Sequence, residues 1–372
     1  MKVVIIGAGV AGLCIGWRLL QAGAQVVVLE RAQPGRGASW AAAGMISVVG
    51  EGENSNPAEA TFARYAAGIW PEFAREIEEM SGQTVGYRKD GKLVIAPSAD
   101  QYARLEARAA ADPGLSMLTA AETSLLEPLL RAGIAGAMWD PVEARVDNRA
   151  LTAALAHVFV RAGGVLHTNE TVVRIETDGT RVFGARTPFV LYEGDAYVLA
   201  AGAWTSLIQG MPADALPPVH PVKGEMIALS GGASPTRTIW GDDVYLVPRA
   251  GRLLVGATAT DDGFDTSLTD EAAERLLSNA VDLMPALETW SLVEHWASLR
   301  PGSPDGLPIL GPSVLDRLFV ASGQFRNGIL FAPAIGEVVC AEVLGEEPAS
   351  DIAAFDPRRF SNATLAKPGS VG

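Results

Sequence analysis

The stretch Met1–Glu30, MKVVIIGAGVAGLCIGWRLLQAGAQVVVLE, decides the fold of this 372-residue chain. Its first apolar run, Val3–Ile6, has the β-branched composition typical of a strand that is buried on both faces. Three glycines follow at the G-x-G-x-x-G spacing, namely Gly7, Gly9 and Gly12. Large apolar residues then recur at helical spacing as far as Gly23, and a second apolar run ends in Glu30. The pattern predicts a strand, a tight turn, a helix and a second strand.

This unit predicts a dinucleotide-binding site. Gly7 allows the tight turn, Gly9 lets the backbone approach a pyrophosphate, and Gly12 lets the helix pack closely on the sheet. The N–H groups at the start of the helix, around Val10 and Ala11, hold phosphate charge together with the positive end of the helix dipole.

The acidic residue at the end of the second strand makes this prediction more specific than three glycines alone. Glu30 follows the third glycine by 18 residues, where a carboxylate can accept both hydroxyl hydrogens of an adenosine ribose. A secretory signal peptide is the alternative interpretation of the same apolar stretch. The glycine spacing and the second strand argue against it, and Glu30 and the adjacent Arg31 are predicted cofactor contacts.

Composition narrows the classes of function. The length suggests two domains, at ~150 residues for each. A net charge of −14 argues against nucleic acid or an anionic membrane as a partner. The two cysteines, Cys14 and Cys340, form no disulfide framework, and the four histidines show no metal-ligand spacing, so no metal is predicted. No apolar run reaches the roughly 20 residues of a membrane span, and a cytoplasmic location is predicted.

The stretch Pro34–Ser47, PGRGASWAAAGMIS, is too rich in small residues for an ordinary amphipathic helix. Small side chains suit a backbone that passes close to a flat ligand, although a flexible loop is the alternative. Together with the fingerprint and Glu30, the segment GASWAAAGM resembles the D-amino-acid oxidase group of flavoproteins, and within it the glycine oxidases. The resemblance implies FAD as the cofactor. Because neither cysteine stands on a motif that resembles a flavin attachment site, FAD is predicted to be bound noncovalently. It places three residues beside the isoalloxazine ring and two near the phosphates or ribityl chain, respectively Ala43, Gly44 and Met45, and Ala38 and Ser39.

Three later segments, PVKGE, YLVPR and LLVGAT, resemble glycine oxidases in the same order and at similar spacing. By this resemblance Tyr245, in YLVPR, faces the flavin and bonds the substrate carboxylate; a core tyrosine is the alternative. Arg300, in LRPG, resembles the arginine that binds the carboxylate, a role that suits the planar fork of a guanidinium. Val173 aligns with a position whose backbone contacts adenine.

The segment SGQFRNGIL resembles the C-terminal flavin loop of this group. It implies that Arg326 lines the active site and that the following helix start directs N–H groups at the flavin pyrimidine. The predicted cofactor contacts here are Gln324, Phe325, Arg326, Asn327, Gly328, Ile329 and Leu330. Gln324 stands where glycine oxidases often carry histidine, and Ser298 where they often carry glycine.

The predicted fold is α/β. A Rossmann-like FAD-binding domain is assembled from separated segments, 1–82, 143–212 and 304–360. An α+β substrate domain with a mostly antiparallel sheet comprises 83–142 and 213–303. Within the second domain, Tyr87–Pro97 is predicted to be a hairpin that turns at Asp90–Gly91.

The resemblance implies an enzyme that oxidises glycine and other small amino acids, including sarcosine and small D-amino acids. Catalysis would be carried by Tyr245, Arg300 and Arg326, with hydride transfer to flavin N5 giving an imine and, with molecular oxygen, hydrogen peroxide. By analogy the imine feeds synthesis of the thiazole ring of thiamine. The first alternative is a D-amino-acid dehydrogenase or a sarcosine oxidase on the same scaffold. Two others are an NAD-dependent dehydrogenase, which the fingerprint alone permits, and a non-catalytic nucleotide-sensing module. The sequence leaves the electron acceptor and the oligomeric state open, a homo-oligomer included.

Overall fold

The computed structural model describes residues 1–48 and 56–361. Within these ranges the α-helices are α1 Val10–Gln21, α2 Ala38–Ala41, α3 Pro57–Ser81, α4 Ala99–Ala111, α5 Ala120–Leu126, α6 Asn148–Arg161, α7 Asp270–Leu283 and α8 Gly328–Leu344. The strands are β1 Lys2–Ile6, β2 Gln25–Glu30, β3 Met45–Ile46, β4 Lys92–Ala96, β5 Ser116–Thr119, β6 Gly136–Asp140, β7 Ala144–Arg145, β8 Val165–Thr168, β9 Arg174–Thr177, β10 Val182–Arg186, β11 Leu191–Tyr192, β12 Ala196–Leu199, β13 His220–Ser230, β14 Thr238–Trp240, β15 Tyr245–Arg249, β16 Arg252–Gly256, β17 Ser291–Gly302, β18 Ile309–Pro312 and β19 Leu318–Ser322. Short 3₁₀ helices cover Gly202–Leu207, Pro285–Thr289, Ala353–Phe355 and Pro357–Phe360.

The first of the two main sheets has six strands, in the order β18-β19-β12-β1-β2-β8. All neighbouring strands are parallel except β18 and β19. The apolar face of β1 packs with α1, α3, α6 and α8 in one core that includes the fully buried Trp17, Trp70 and Phe331. The predicted α/β fold assembled from separated segments is confirmed, whereas the exact domain boundaries stay a prediction.

The opposite face of this sheet is covered by a small antiparallel sheet in the order β11-β10-β9. Val4 and Ile6 of β1 pack there against Ile175 and Val182. These strands lie between Arg174 and Tyr192. Both faces of the parallel strands are thus removed from solvent, which explains their continuous apolar sequences.

The second main sheet, the large sheet, has eight strands, in the order β17-β13-β16-β15-β14-β4-β6-β5. It is antiparallel apart from the pair β14 and β4. The predicted hairpin at Asp90–Gly91 is wrong: Lys92–Ala96 pairs with β6 and β14, while Arg88 forms a bridge with Arg145. The Asp90 carboxylate forms an ion pair with the side chain of Arg145, which belongs to β7. This long-range contact orients the Asp90–Gly91 turn toward β7, so that no hairpin forms there. Among the helices described, none is long and apolar enough to cross a membrane.

Candidate active site

A cavity of about 850 Å³ lies between the carboxyl ends of the parallel strands and the eight-stranded sheet. This edge of a parallel sheet is where ligands bind in open α/β folds. Most residues predicted from the sequence line the cavity together: Gly7, Gly9, Val10, Ala11, Glu30, Arg31, Ala38, Ser39, Ala43, Gly44, Met45, Val173, Tyr245, Arg300, Gln324, Phe325, Arg326, Gly328 and Ile329. Residues that are up to about 320 positions apart therefore form one elongated site.

The glycine turn leaves no room for side chains between β1 and α1. Gly7 has a φ of 107°, and a Cβ atom added to it would lie 2.4 Å from the Ala200 carbonyl oxygen. A Cβ atom at Gly12 would lie 2.0 Å from the Gly7 carbonyl oxygen. Without side chains in this turn, a bound pyrophosphate can come close to the backbone at the start of α1.

Glu30 and Arg31 lie at the cavity wall after β2. The Glu30 carboxylate accepts hydrogen bonds from the Ala8 N–H at 2.8 Å and from the Ala32 N–H at 3.0 Å. The Arg31 guanidinium stacks on the Trp204 ring at 3.5 Å, and burial lowers the pKa of Arg31. Both charged groups are held in place, as a site for ribose and phosphate needs.

Replacing Glu30 by Ala should weaken FAD binding. The variant removes the acceptor for the ribose and leaves two backbone N–H groups without a partner, at a cost of ~1–3 kcal/mol, which is about 5- to 150-fold in Kd. Fluorescence titration of the FAD-free protein measures the change. Glu30→Gln serves as the control, because it keeps one acceptor and should lose less. If Glu30→Ala bound FAD as tightly as the parent, Glu30 would have no role at the ribose.

Two glycines of the large sheet, Gly224 and Gly256, lie against Arg300 and Tyr245 in the cavity wall. A Cβ atom at Gly224 would lie 2.2 Å from Arg300 Nη1, and one at Gly256 would lie 2.5 Å from the Tyr245 hydroxyl oxygen. The Arg300 guanidinium and the Tyr245 ring thus lie flat on glycine backbone. Arg300 Nη1 also donates to the Thr258 carbonyl oxygen at 3.0 Å. These contacts fix both side chains against one wall.

The charge of Arg300 affects the ionisation of the Tyr245 hydroxyl. Burial raises the pKa of the Tyr245 hydroxyl, and the Arg300 cation opposes this shift. The hydroxyl therefore stays protonated near neutral pH and can donate a hydrogen bond. A guanidinium beside a neutral hydroxyl is a suitable donor set for one carboxylate.

The segment between β19 and α8 turns sharply into the cavity. Phe325 has a φ of 46°, and the Arg326 side chain lies over its ring at 5.1 Å. Burial lowers the pKa of Arg326. Gln324 is only 6% exposed, and its Nε2 atom has no hydrogen-bond partner within residues 1–48 and 56–361. Because buried donors are nearly always satisfied, this group indicates an acceptor on a bound molecule.

Three predicted contacts lie outside the cavity lining. Gly12 packs against the turn, and the Leu330 side chain is buried in the core with its carbonyl oxygen bonded to Trp70 Nε1. Asn327 turns away from the cavity, and its Nδ2 atom donates to Glu59 Oε1 at 2.9 Å. Their contribution to cofactor binding stays a prediction.

The structure adds lining residues that sequence reasoning missed, among them Lys92 and Trp240. Lys92 is 1% exposed, forms an ion pair with Glu143 at 2.9 Å and lies 4.9 Å from the centre of the Trp240 ring. The sequence signal that could have identified Lys92 is its position as a charged residue at the start of the apolar run KLVIA. Its neighbour Trp240 comes from the distant strand β14, which no local pattern pairs with β4.

Comparison with known proteins shows which family this chain belongs to. The family profile described as FAD dependent oxidoreductase matches residues 2–342. The chain belongs to this family. It is 36% identical to the glycine oxidase of Pseudomonas aeruginosa, over 96% of this chain and 98% of that one. It is 33% identical to glycine oxidase from Geobacillus kaustophilus, whose crystal structure superposes with a TM-score of 0.90 over 95% of this chain and 98% of the other. It is also 33% identical to the bifunctional protein ThiO/ThiG of a Synechocystis species, over 97% of this chain and 54% of that protein.

The prediction of an FAD-dependent amino-acid oxidoreductase is confirmed by this family and by the similarity to glycine oxidases. The residues present fit FAD. The glycine turn leaves room for a pyrophosphate, Glu30 lies at the cavity wall, and the orphaned Gln324 amide needs an acceptor. When bound, FAD would be held by these residues along the length of the cavity.

We expect FAD to be bound without a covalent link. Neither Cys14 nor Cys340 lines the cavity, and burial raises the pKa of the Cys14 thiol to about 12, which suppresses the reactive thiolate. Acid precipitation of the purified yellow protein should leave the colour in the supernatant. A yellow pellet would contradict the prediction.

Proposed function

We propose that the enzyme oxidises glycine and other small amino acids at the α-carbon, releasing an imine and hydrogen peroxide. One observation carries this proposal: Arg300 and Tyr245 lie together at the end of the cavity, each pressed on a glycine of the same sheet. A fixed guanidinium and a neutral hydroxyl form a carboxylate site rather than a site for an uncharged amine.

The chain's own residues contribute orientation. Arg300 holds the substrate carboxylate in a charge-assisted pair, and Tyr245 donates a second hydrogen bond. Bound FAD would supply the redox chemistry, a two-electron oxidation of the substrate by hydride transfer with molecular oxygen as the final acceptor. Held at the carboxylate, the amino acid presents its α-carbon hydrogen in one direction, and such positioning lowers the barrier.

The walls around this site favour small side chains. The Trp240 and Tyr245 rings lie 5.9 Å apart, and the Tyr245 hydroxyl is 3.7 Å from Met226 Sδ. All three residues line the cavity. Large side chains at this place would favour a substrate with little or no side chain, as in glycine and sarcosine.

The same scaffold supports a D-amino-acid dehydrogenase or a sarcosine oxidase as the alternative. Peroxide release should be measured in air with glycine, sarcosine, D-alanine and D-proline at equal concentrations. The proposal expects glycine to give the highest kcat/KM. Turnover only with an artificial electron acceptor would identify a dehydrogenase instead, and a strong preference for sarcosine would identify a sarcosine oxidase.

We also propose that the imine serves synthesis of the thiazole ring of thiamine. The similarity to a relative named ThiO/ThiG, which carries a further region beside the part matched here, supports this role. A strain that depends on this chain for thiazole should regain growth without added thiazole when the active enzyme is supplied. An Arg300→Ala variant should fail to restore growth.

A further inference from the structure

The flavin segment, Ser39–Gly44, is predicted to lie beside the flavin ring. Most of its backbone carbonyls accept hydrogen bonds from groups that do not line the cavity. Asn148 Nδ2 donates to the Ser39 carbonyl oxygen at 2.8 Å and to the Trp40 carbonyl oxygen at 2.9 Å. The Val146 N–H donates to the Gly44 carbonyl oxygen at 2.8 Å. Part of the segment is therefore held by the chain that leads into α6.

Two more carbonyls accept hydrogen bonds from side chains of the large sheet. Trp296 Nε1 donates to the Ala41 carbonyl oxygen at 3.0 Å, and Arg249 Nη2 donates to the Ala43 carbonyl oxygen at 2.5 Å. Neither Trp296 nor Arg249 lines the cavity itself. Both lie on the large sheet, which therefore holds the backbone of the segment that is predicted to lie beside the flavin ring.

These two residues share strands with the carboxylate site. Arg249 ends β15, which begins with Tyr245, and Trp296 lies on β17 four residues before Arg300. Because side chains alternate along a strand, residues four apart lie on the same face. One face of one sheet therefore carries both the carboxylate site and the supports of the flavin segment, about 13 Å apart at ~3.3 Å per residue.

We propose that Arg249 and Trp296 are positioning residues that set the distance between the flavin segment and the carboxylate site. This inference rests on the proposed function only where it concerns the substrate. Its effect on the bound flavin follows from the contacts with the Ser39–Gly44 segment alone.

Arg249 adds an electrostatic effect. Burial lowers its pKa to about 10, and three further arginines surround it, while Asp147 opposes the shift. It still carries its charge at neutral pH. A cation that donates to the Ala43 carbonyl polarises the Ala43–Gly44 peptide, and the N–H of that peptide becomes a stronger donor. A neutral replacement should therefore disfavour the electron-rich, reduced flavin.

The decisive variants are Arg249→Met and Trp296→Phe, with Arg252→Gln as the matched control. Arg252 belongs to the same arginine cluster, but it bonds Glu294 at 2.7 Å and has no hydrogen bond to Ser39–Gly44. The holoenzymes are compared by flavin absorption spectrum, by the midpoint potential of the bound flavin, and by kcat and KM for glycine.

We expect Arg249→Met to lower kcat about tenfold with KM nearly unchanged, as for a lost hydrogen bond to a charged group. The midpoint potential should become more negative and the flavin spectrum should shift, while Arg249→Lys recovers part of each effect. Trp296→Phe, which loses one N–H, should shift the spectrum less, and Arg252→Gln should match the parent.

Equal potentials and spectra in all variants would overturn the proposal and leave Arg249 a purely structural residue. Should Arg249→Met fail to fold, Trp296→Phe decides by the same spectral and redox measurements. If the parent does not oxidise glycine, the proposed function fails, while the potentials and spectra still test the positioning role.

Discussion

Arg300→Ala should lower kcat/KM for glycine by roughly 30- to 5,000-fold. Removing one member of a buried charge pair typically costs ~2–5 kcal/mol, and here the carboxylate of the bound substrate would lose its guanidinium. Steady-state peroxide release measures the loss. FAD binding should change little, since Arg300 lies on the large sheet, whereas the glycine turn follows β1 of the parallel sheet.

Two comparisons separate a role in carboxylate binding from a role in folding. Arg300→Lys should recover only part of the activity, because a point charge does not reproduce the bidentate fork. With an amine that lacks a carboxylate, such as ethylamine, the parent and Arg300→Ala should differ far less than with glycine. Equal losses for both substrates would mean that Arg300 supports the fold or the flavin, and Arg326 would become the candidate for the carboxylate.

Gly224→Ala should reduce kcat/KM by about 100-fold or more while the protein stays folded and binds FAD. The added Cβ atom would lie 2.2 Å from Arg300 Nη1, so that the guanidinium must move. The end of a long side chain moves at little cost in stability. That end is the functional group, however, and a displacement of about 1 Å is enough for a loss of this size.

Gly302→Ala is the matched control. Gly302 lies on the same pair of strands, and its added Cβ atom would also meet the end of a side chain, His220 Nε2 at 2.5 Å. Neither Gly302 nor His220 lines the cavity. Near-parent activity of Gly302→Ala beside a defective Gly224→Ala would locate the effect at Arg300. If Gly224→Ala were as active as the parent, the contact between the Arg300 guanidinium and Gly224 would not be required for activity.

Most of the secondary structure could be predicted from sequence because it is encoded locally. The glycine spacing gave β1, α1 and β2 within a residue or two. Gly345 has the left-handed conformation expected where α8 ends. These features depend on residues a few positions apart, whose conformational preferences do not need the rest of the chain.

The site could be predicted in part, and only through a resemblance to known flavoproteins. That resemblance selected Tyr245, Arg300 and Arg326 from many possible candidates, and all three line one cavity. Residue patterns alone predicted no more than a dinucleotide site. The substrate end has no short motif of its own, because its side chains come from strands that pair across long separations.

The sequence by itself determined the dinucleotide unit, the α/β class and the order of the elements. Only the tertiary structure decided the partners of Lys92–Ala96, the glycine surfaces under Arg300 and Tyr245, and the hydrogen bonds from Arg249 and Trp296 to the flavin segment. The physical reason is the range of the interactions. Local preferences fix φ and ψ over a few residues, whereas strand pairing, burial and side-chain hydrogen bonds join segments that lie as much as 255 residues apart, which no local pattern specifies.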